Sequence, residues 1–184
     1  MDQVRSWITK CLETHPICRS ASWGDDSPLP IRVLDLEVGS SNCGLIRLIE
    51  SGGMKGRYVC LSYRWGDSKF LNTTPENIAY HKQGIPLDAL PQTFQDAIMV
   101  CRSFGVRDLW IDALCIIQGD AEDWHRESVR MANAFQRAFF TISATWGDSP
   151  GCGSFRNFNP ELSRAGPVVV RQVAHPDLKV LMGE

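Results

Sequence analysis

Three copies of the pattern Ser-x-x-Trp-Gly-Asp, at residues 20–25, 62–67 and 143–148, hold many of the side chains in this sequence that could do chemistry. Their spacing invites a reading as propeller-like repeats, but the flanking residues do not repeat, so placement matters more than period. Two of the copies directly follow apolar segments. Ligands of open α/β sheets bind outside the carboxyl ends of the strands. Ser62-Tyr63-Arg64-Trp65-Gly66-Asp67 and the later Asp112-Ala-Leu-Cys115 are therefore expected to line one rim. Arg64 and Asp67 suit phosphate and hydroxyl groups, because a guanidinium matches phosphate oxygens in pairs; a turn held by a local ion pair explains them equally well. Tyr63, Trp65 and Trp124 can stack on a planar base, whereas core packing is the simpler reading for Trp110. Asp112 follows Leu-Trp-Ile, and an acid at the end of a buried strand is costly unless bonded or used.

Three further constellations invite chemistry. Glu127 lies about 60° from Trp124 and about 40° from Met131 on a helical wheel, at the edge of the apolar stripe. It can face inward and still reach a cleft, or it can be a solvated glutamate paired with Arg126 or Arg130. Cys115 as a nucleophile needs a histidine base. His125 points about 160° around the helix from Glu127, toward solvent, and His15 and His81 carry no positional signal; a buried structural cysteine is the preferred reading. Cys11, His15 and Cys18 supply three ligands where a structural zinc site wants four. Cys11 and His15 share a helix face while Cys18 is expected past its end, so no metal is assigned.

Certain elements must position these groups. RYVCLSY (57–63), DLWIDALCII (108–117) and AFFTISAT (138–145) are near-continuous apolar runs, the signature of strands buried on both faces of a mostly parallel sheet. PQTFQDAIMVCRSFG (91–105) reads as a helix opened by Pro91 and closed by Gly105. Residues 122–138 read as the strongest helix, with Trp124, Ser128, Met131, Phe135 and Ala138 on its inner stripe. IRVLDLE (31–37) and GLIRLIE (44–50) read as a hairpin or edge pair, and residues 3–14 as a short N-terminal helix. Alternating strands and helices imply an open α/β sheet. The chain reads as one domain over 1–184, with a core of about 5–155 and an irregular tail or linker start over 156–184.

Composition narrows the function class. The net charge is −2 and no Lys/Arg block stands out, which argues against a nucleic-acid partner. No apolar run is long enough to span a bilayer, and the charged N-terminus lacks a signal-peptide core. Seven scattered cysteines without CxxC pairs suit reduced thiols in the cytoplasm.

YVCLSYRWGD (58–67), LPQTFQDAIMVCRSFGVRDLWIDALCIIQ (90–118) and DWHRESVRMANAFQRAFFTISAT (123–145) resemble, in order and spacing, the three blocks of fungal heterokaryon-incompatibility (HET) domains. Trp7, Cys11, His15 and Cys18, followed by LPIRVLDLE, look like that family's lead-in. The resemblance implies a cell-death module of fungal self/non-self recognition, similar in fold plan to TIR domains and hence flavodoxin-like. Many TIR domains cleave NAD+ at the nicotinamide–ribose bond with one glutamate. Asp123-Trp124-His125-Arg126-Glu127 resembles the segment carrying that glutamate, and Ser62-Tyr63-Arg64-Trp65-Gly66-Asp67 the box after the first TIR strand. The resemblance thus implies Glu127 as the catalytic group. Ser62, Tyr63, Arg64, Trp65, Asp67, Asp112, Cys115 and Trp124 become substrate-binding candidates, with NAD+ or a related nucleotide as substrate rather than cofactor. It also implies self-association, triggering by other domains or incompatibility proteins, and as alternatives a non-catalytic signalling scaffold or a Cys-based hydrolase.

Overall fold

The structure, a computed structural model, describes residues 1–16, 18, 26–36, 44–145 and 147–155. The tail over 156–184, the first Ser-x-x-Trp-Gly-Asp copy and Trp146 lie outside the described residues. Helix α1 spans Asp2–Thr14. Strands β1 (Arg32–Asp35) and β2 (Leu45–Glu50) form the expected antiparallel pair, with Arg32 opposite Glu50 and Asp35 opposite Arg47. Strand β3 (Tyr58–Tyr63) leads through the short helix α2 (Ile78–Gln83) and strand β4 (Ile85–Pro86) to helix α3 (Gln92–Ser103). Pro91 sits at the N-cap of α3, and Gly105, two residues past its end, takes φ +69°, the left-handed conformation that glycine alone adopts freely. Strand β5 (Asp108–Trp110), a single helical turn α4 (Asp112–Cys115), helix α5 (Ala121–Arg137) and strand β6 (Phe140–Ala144) follow. Helix α5 begins where Asp120 accepts hydrogen bonds from the backbone N–H groups of Glu122 and Asp123, both at 3.0 Å.

The six strands form one open sheet in the order β4-β2-β1-β5-β3-β6. The apolar runs supply its parallel half: β3 pairs in parallel with β5 on one side and β6 on the other. The β4-β2-β1 half pairs antiparallel throughout, and β1 is also antiparallel to β5. Following these pairings, β2, β3, β5 and β6 share one direction while β1 and β4 oppose it. The hairpin is thus built into the sheet interior rather than appended at an edge, with the two-residue β4 outside it.

The two long helices cover opposite faces. Tyr58 donates from its hydroxyl to the Ala134 carbonyl of α5 at 2.7 Å, and the Cys60 thiol reaches the same carbonyl at 3.4 Å. Side chains alternate along a strand, so Tyr63 lies on the other face, where its ring packs edge-on against Phe94 of α3 at 5.0 Å. The chain leaves β3 toward α3 and leaves the adjacent β5 toward α5. The two connections therefore diverge to opposite faces at the carboxyl ends of β3 and β5, where open α/β sheets bind ligands.

Three expectations need correction. The run 108–117 is not one strand: it breaks at Ile111, where the Asp112 carboxylate takes its neighbour Ala113's N–H at 2.7 Å and a helical turn begins. Strand β6 is an edge strand with alternating half-exposed positions, not one buried on both faces. The inner stripe of α5 is not centred on Trp124, which is 56% exposed; Asp123, Glu127 and Ala134 are the buried positions.

Candidate functional site

The rim at the carboxyl ends of β3, β5 and β6 gathers most of the sequence-predicted side chains. Asp112 starts α4 directly beyond β5, and one carboxylate oxygen accepts from the Tyr63 hydroxyl at 2.8 Å. Its other oxygen accepts from the Trp65 indole N–H at 2.8 Å. The Tyr63 and Trp65 rings stack with centroids 6.3 Å apart and planes 14° from parallel, and Phe70 and Phe94 pack edge-on around them. Burial and the adjacent Asp112 carboxylate push the Tyr63 phenol far above its usual range, so it stays a donor. The second and third Ser-x-x-Trp-Gly-Asp loops meet here. A Cβ on Gly66, whose φ is +64°, would fall 2.2 Å from the Asp148 carbonyl oxygen, so only glycine fits that approach. Arg64 bridges to Asp148 at 2.7 Å, but both are strongly exposed and the pair adds little. Ser62 and Asp67 are exposed on the same rim.

Glu127 is elsewhere. It sits under α5, on the opposite face of the sheet from Tyr63, and is 3% exposed. Its Oε1 has no hydrogen-bond partner; the guanidinium groups of Arg126 and Arg130 stand at 3.9 Å. Burial raises its carboxyl above the usual range, against the pull of Arg32. It lines a cleft of about 270 Å³ whose walls include Pro28–Ile31, Tyr58, Arg130, Asn133 and Arg137. The cleft is therefore apolar on its floor and cationic along its α5 wall.

One helical turn earlier, Asp123 is 1% exposed and saturated. It is bridged by Arg32 and Arg126, and accepts the Ile117 N–H at 2.8 Å. Burial opposes its ionisation, but the Arg32 and Ile117 hydrogen bonds win and hold its carboxyl below the ordinary range. Arg32 also donates to the Cys115 carbonyl at 2.7 Å, fastening α4 to β1 and α5.

Cys115 itself is fully buried, and desolvation pushes its thiol up to about 12, so it is protonated at neutral pH. His81 is engaged with Thr73 Oγ1 at 2.8 Å and His125 is exposed. Nothing here activates a cysteine nucleophile. Trp124 faces outward on α5 and makes no ring contact among the described residues.

Ser62, Tyr63, Arg64, Trp65, Asp67 and Asp112 were expected on one rim; the structure joins Tyr63, Trp65 and Asp112 and pairs Arg64 with Asp148, while Ser62 and Asp67 are exposed and Ser62 alternates to the other face from Tyr63. The structure does not bring Glu127, Cys115 or Trp124 to that cluster. Arg32, Tyr58 and Arg137 were missed, and Arg130 was read only as an ion-pair partner of Glu127. Arg32 has a strand position and a partner 91 residues away, so no local signal could have found it. Arg130 and Arg137 were legible as neighbours of Glu127 by helical spacing.

An α/β domain with a polar aromatic cluster at the strand ends and a carboxylate-bearing cleft under one helix is the class defined by this geometry. The family described as heterokaryon incompatibility protein (HET) matches residues 58–169, more than half of the chain, and the chain belongs to it. Membership ties it to the fungal incompatibility and cell-death response. No curated protein and no solved structure was found to match it. No helix among the described residues is long and apolar enough to cross a membrane.

Proposed function

We propose that this HET domain is a TIR-like cell-death effector that hydrolyses NAD+ at the nicotinamide–ribose bond when self-associated, with Glu127 as the catalytic carboxylate. One observation carries the reading: a buried glutamate with one carboxylate oxygen left without a hydrogen bond, lining a cleft that also presents Arg130 and Arg137. Buried polar atoms are nearly always bonded, and an orphaned one calls for a role.

The chemistry suits a single carboxylate. The leaving pyridinium is cationic and departs as neutral nicotinamide, so no general acid is needed. Positive charge develops on the ribose as the bond breaks. Water then adds at C1′, giving ADP-ribose and releasing a proton to solvent. Glu127, held in a desolvated cleft, supplies the complementary negative charge, and its Oε1 is left without a hydrogen bond. Arg130 and Arg137 suit the diphosphate oxygens. The rim cluster suits a structural task better, since both Asp112 oxygens are already taken. The parallel β5-β3-β6 trio with helices on opposite faces supports the TIR-like part.

The deciding experiment incubates purified protein at high concentration with NAD+ and measures free nicotinamide, with Glu127→Gln alongside. A silent wild type, or a Glu127→Gln protein that still kills cells on expression, favours the scaffold reading.

A further inference from the structure

The N-terminal helix poses a separate problem. Helix α1 has thirteen residues and buries none of them; Trp7 is 60% exposed and Leu12 is 39% exposed. Its side-chain ties to the body include Arg5, which donates to the Ser103 carbonyl and lies 4.8 Å over the Phe104 ring. An isolated helix of this length is marginal in water.

The C-terminal end of α1 and the residues just beyond it carry three metal-ligating side chains. Cys11 Sγ is 3.4 Å from His15 Nδ1 and 3.5 Å from Cys18 Sγ, and all three ligand atoms lie within 4.8 Å of one another. Cys18 lies past the end of α1, as expected, yet its thiol returns to Cys11 and His15. A tetrahedral zinc ion with Zn–S of about 2.3 Å and Zn–N of about 2.0–2.1 Å sets its ligands about 3.8 Å apart for two sulfurs and about 3.6 Å for sulfur and nitrogen. The Cys11–His15 and Cys11–Cys18 separations are within about 0.3 Å of those tetrahedron edges, and the His15–Cys18 pair lies within 4.8 Å. They are far from the roughly 2.05 Å of a disulfide. Both cysteines are half-buried and His15 is exposed, so an ion from solvent can enter. Two thiolates and an imidazole select a borderline-soft cation over magnesium or calcium.

We propose that Cys11, His15 and Cys18 form a binding site for one zinc-class divalent cation, which staples the C-terminal end of α1 and leaves a fourth coordination position open. The site is independent of the Glu127 cleft and of the proposed activity.

The test uses the full 184-residue chain, reduced, stripped with chelator and titrated with Co2+ alone. One equivalent should produce a thiolate-to-cobalt charge-transfer band, and Zn2+ should displace it stoichiometrically. Cys11→Ser and Cys18→Ser should each abolish the band, and His15→Gln should weaken Co2+ binding at least tenfold. Cys152→Ser, outside the cluster, should leave it intact. Near-UV circular dichroism identifies any variant that fails to fold. Should a variant misfold, cobalt protection of Cys11 and Cys18 from alkylation in the wild type supplies the same answer. A folded, reduced wild-type protein without the band overturns the proposal. So does a band that survives in both folded cysteine variants.

Discussion

Replacing Glu127 by glutamine separates catalysis from folding, because the two respond in opposite directions. The side chain is 3% exposed, its Oε1 makes no hydrogen bond, and the neighbouring guanidinium groups are too distant to bond it. Burial raises the carboxyl above its ordinary value of 4.5. The folded protein therefore binds this proton more tightly than the unfolded chain. Stability attached to the group is full below about pH 4.5 and is lost as pH rises through the folded value. Wherever the carboxylate is ionised its burial is a cost to folding, and Glu127→Gln removes that cost while keeping the volume. Removing such a cost yields between no change and about 2 kcal/mol of added stability, and each kcal/mol raises Tm by about 2–4 °C in a chain of this size. Loss of a charge that stabilises the transition state costs about 2.7–4 kcal/mol, a hundred- to thousandfold in rate. Calorimetry should show an equal or higher Tm, and a nicotinamide assay should show turnover nearly abolished. Wild-type turnover should rise with pH as Glu127 ionises. A variant that melts earlier would refute the orphan-carboxylate reasoning, and one that turns over within tenfold of wild type would refute the catalytic assignment.

The other sites give distinct expectations. Asp112→Asn should weaken the hydrogen bonds to Tyr63 and Trp65, lowering stability by about 1.5–3 kcal/mol in a melting experiment, with kcat on NAD+ within about threefold of wild type. Asp108 is raised from 3.8 to about 6 by burial and by Asp35 beside it. Asp108→Asn should therefore melt higher than wild type above about pH 6, with the difference gone below about pH 4. Cys152 is exposed, and the Ser149 hydrogen bond holds its thiol below the ordinary range. It should react first with a thiol reagent, while Cys60, Cys101 and Cys115 react only on unfolding. Modification of Cys152 should leave turnover unchanged; inactivation through Cys115 in the native state would revive the cysteine hydrolase.

Local signals carried the fold where the physics is local. The Pro91 and Gly105 stops framed α3, the near-continuous apolar runs marked β3 and β6, and both pair in parallel as those runs imply. The break after Trp110 was invisible because Ile111-Asp-Ala-Leu-Cys is as apolar as a strand; only the Asp112 side chain closing on its own backbone reveals the turn. The rim cluster was legible because two loops follow adjacent strands. The separation of Glu127 from it was not. It depends on which face each strand residue presents, and an odd step from Tyr58 to Tyr63 reverses that face. Reading α5 from its largest apolar residue misoriented it, because the buried stripe runs through two acids whose burial requires partners far away in sequence. Arg32, in β1, is that partner for Asp123.

Those two acids carry the functional argument furthest. Asp123 and Glu127 stand one turn apart on the same buried face of α5, so helix position and exposure are nearly matched. Their surroundings diverge. Asp123 has two guanidinium partners and a backbone N–H, and is held ionised. Glu127 has an unbonded oxygen and is driven toward protonation. If the face served docking alone, an aliphatic side chain at 127 would pack against Tyr58 and Ile31 without the cost of a buried charge. Paired carboxyl groups pushed in opposite directions by their environments mark a division of roles. Asp123 knits β1, α4 and α5 together through Arg32, and that frame holds the cleft in which Glu127 is left available to a cation.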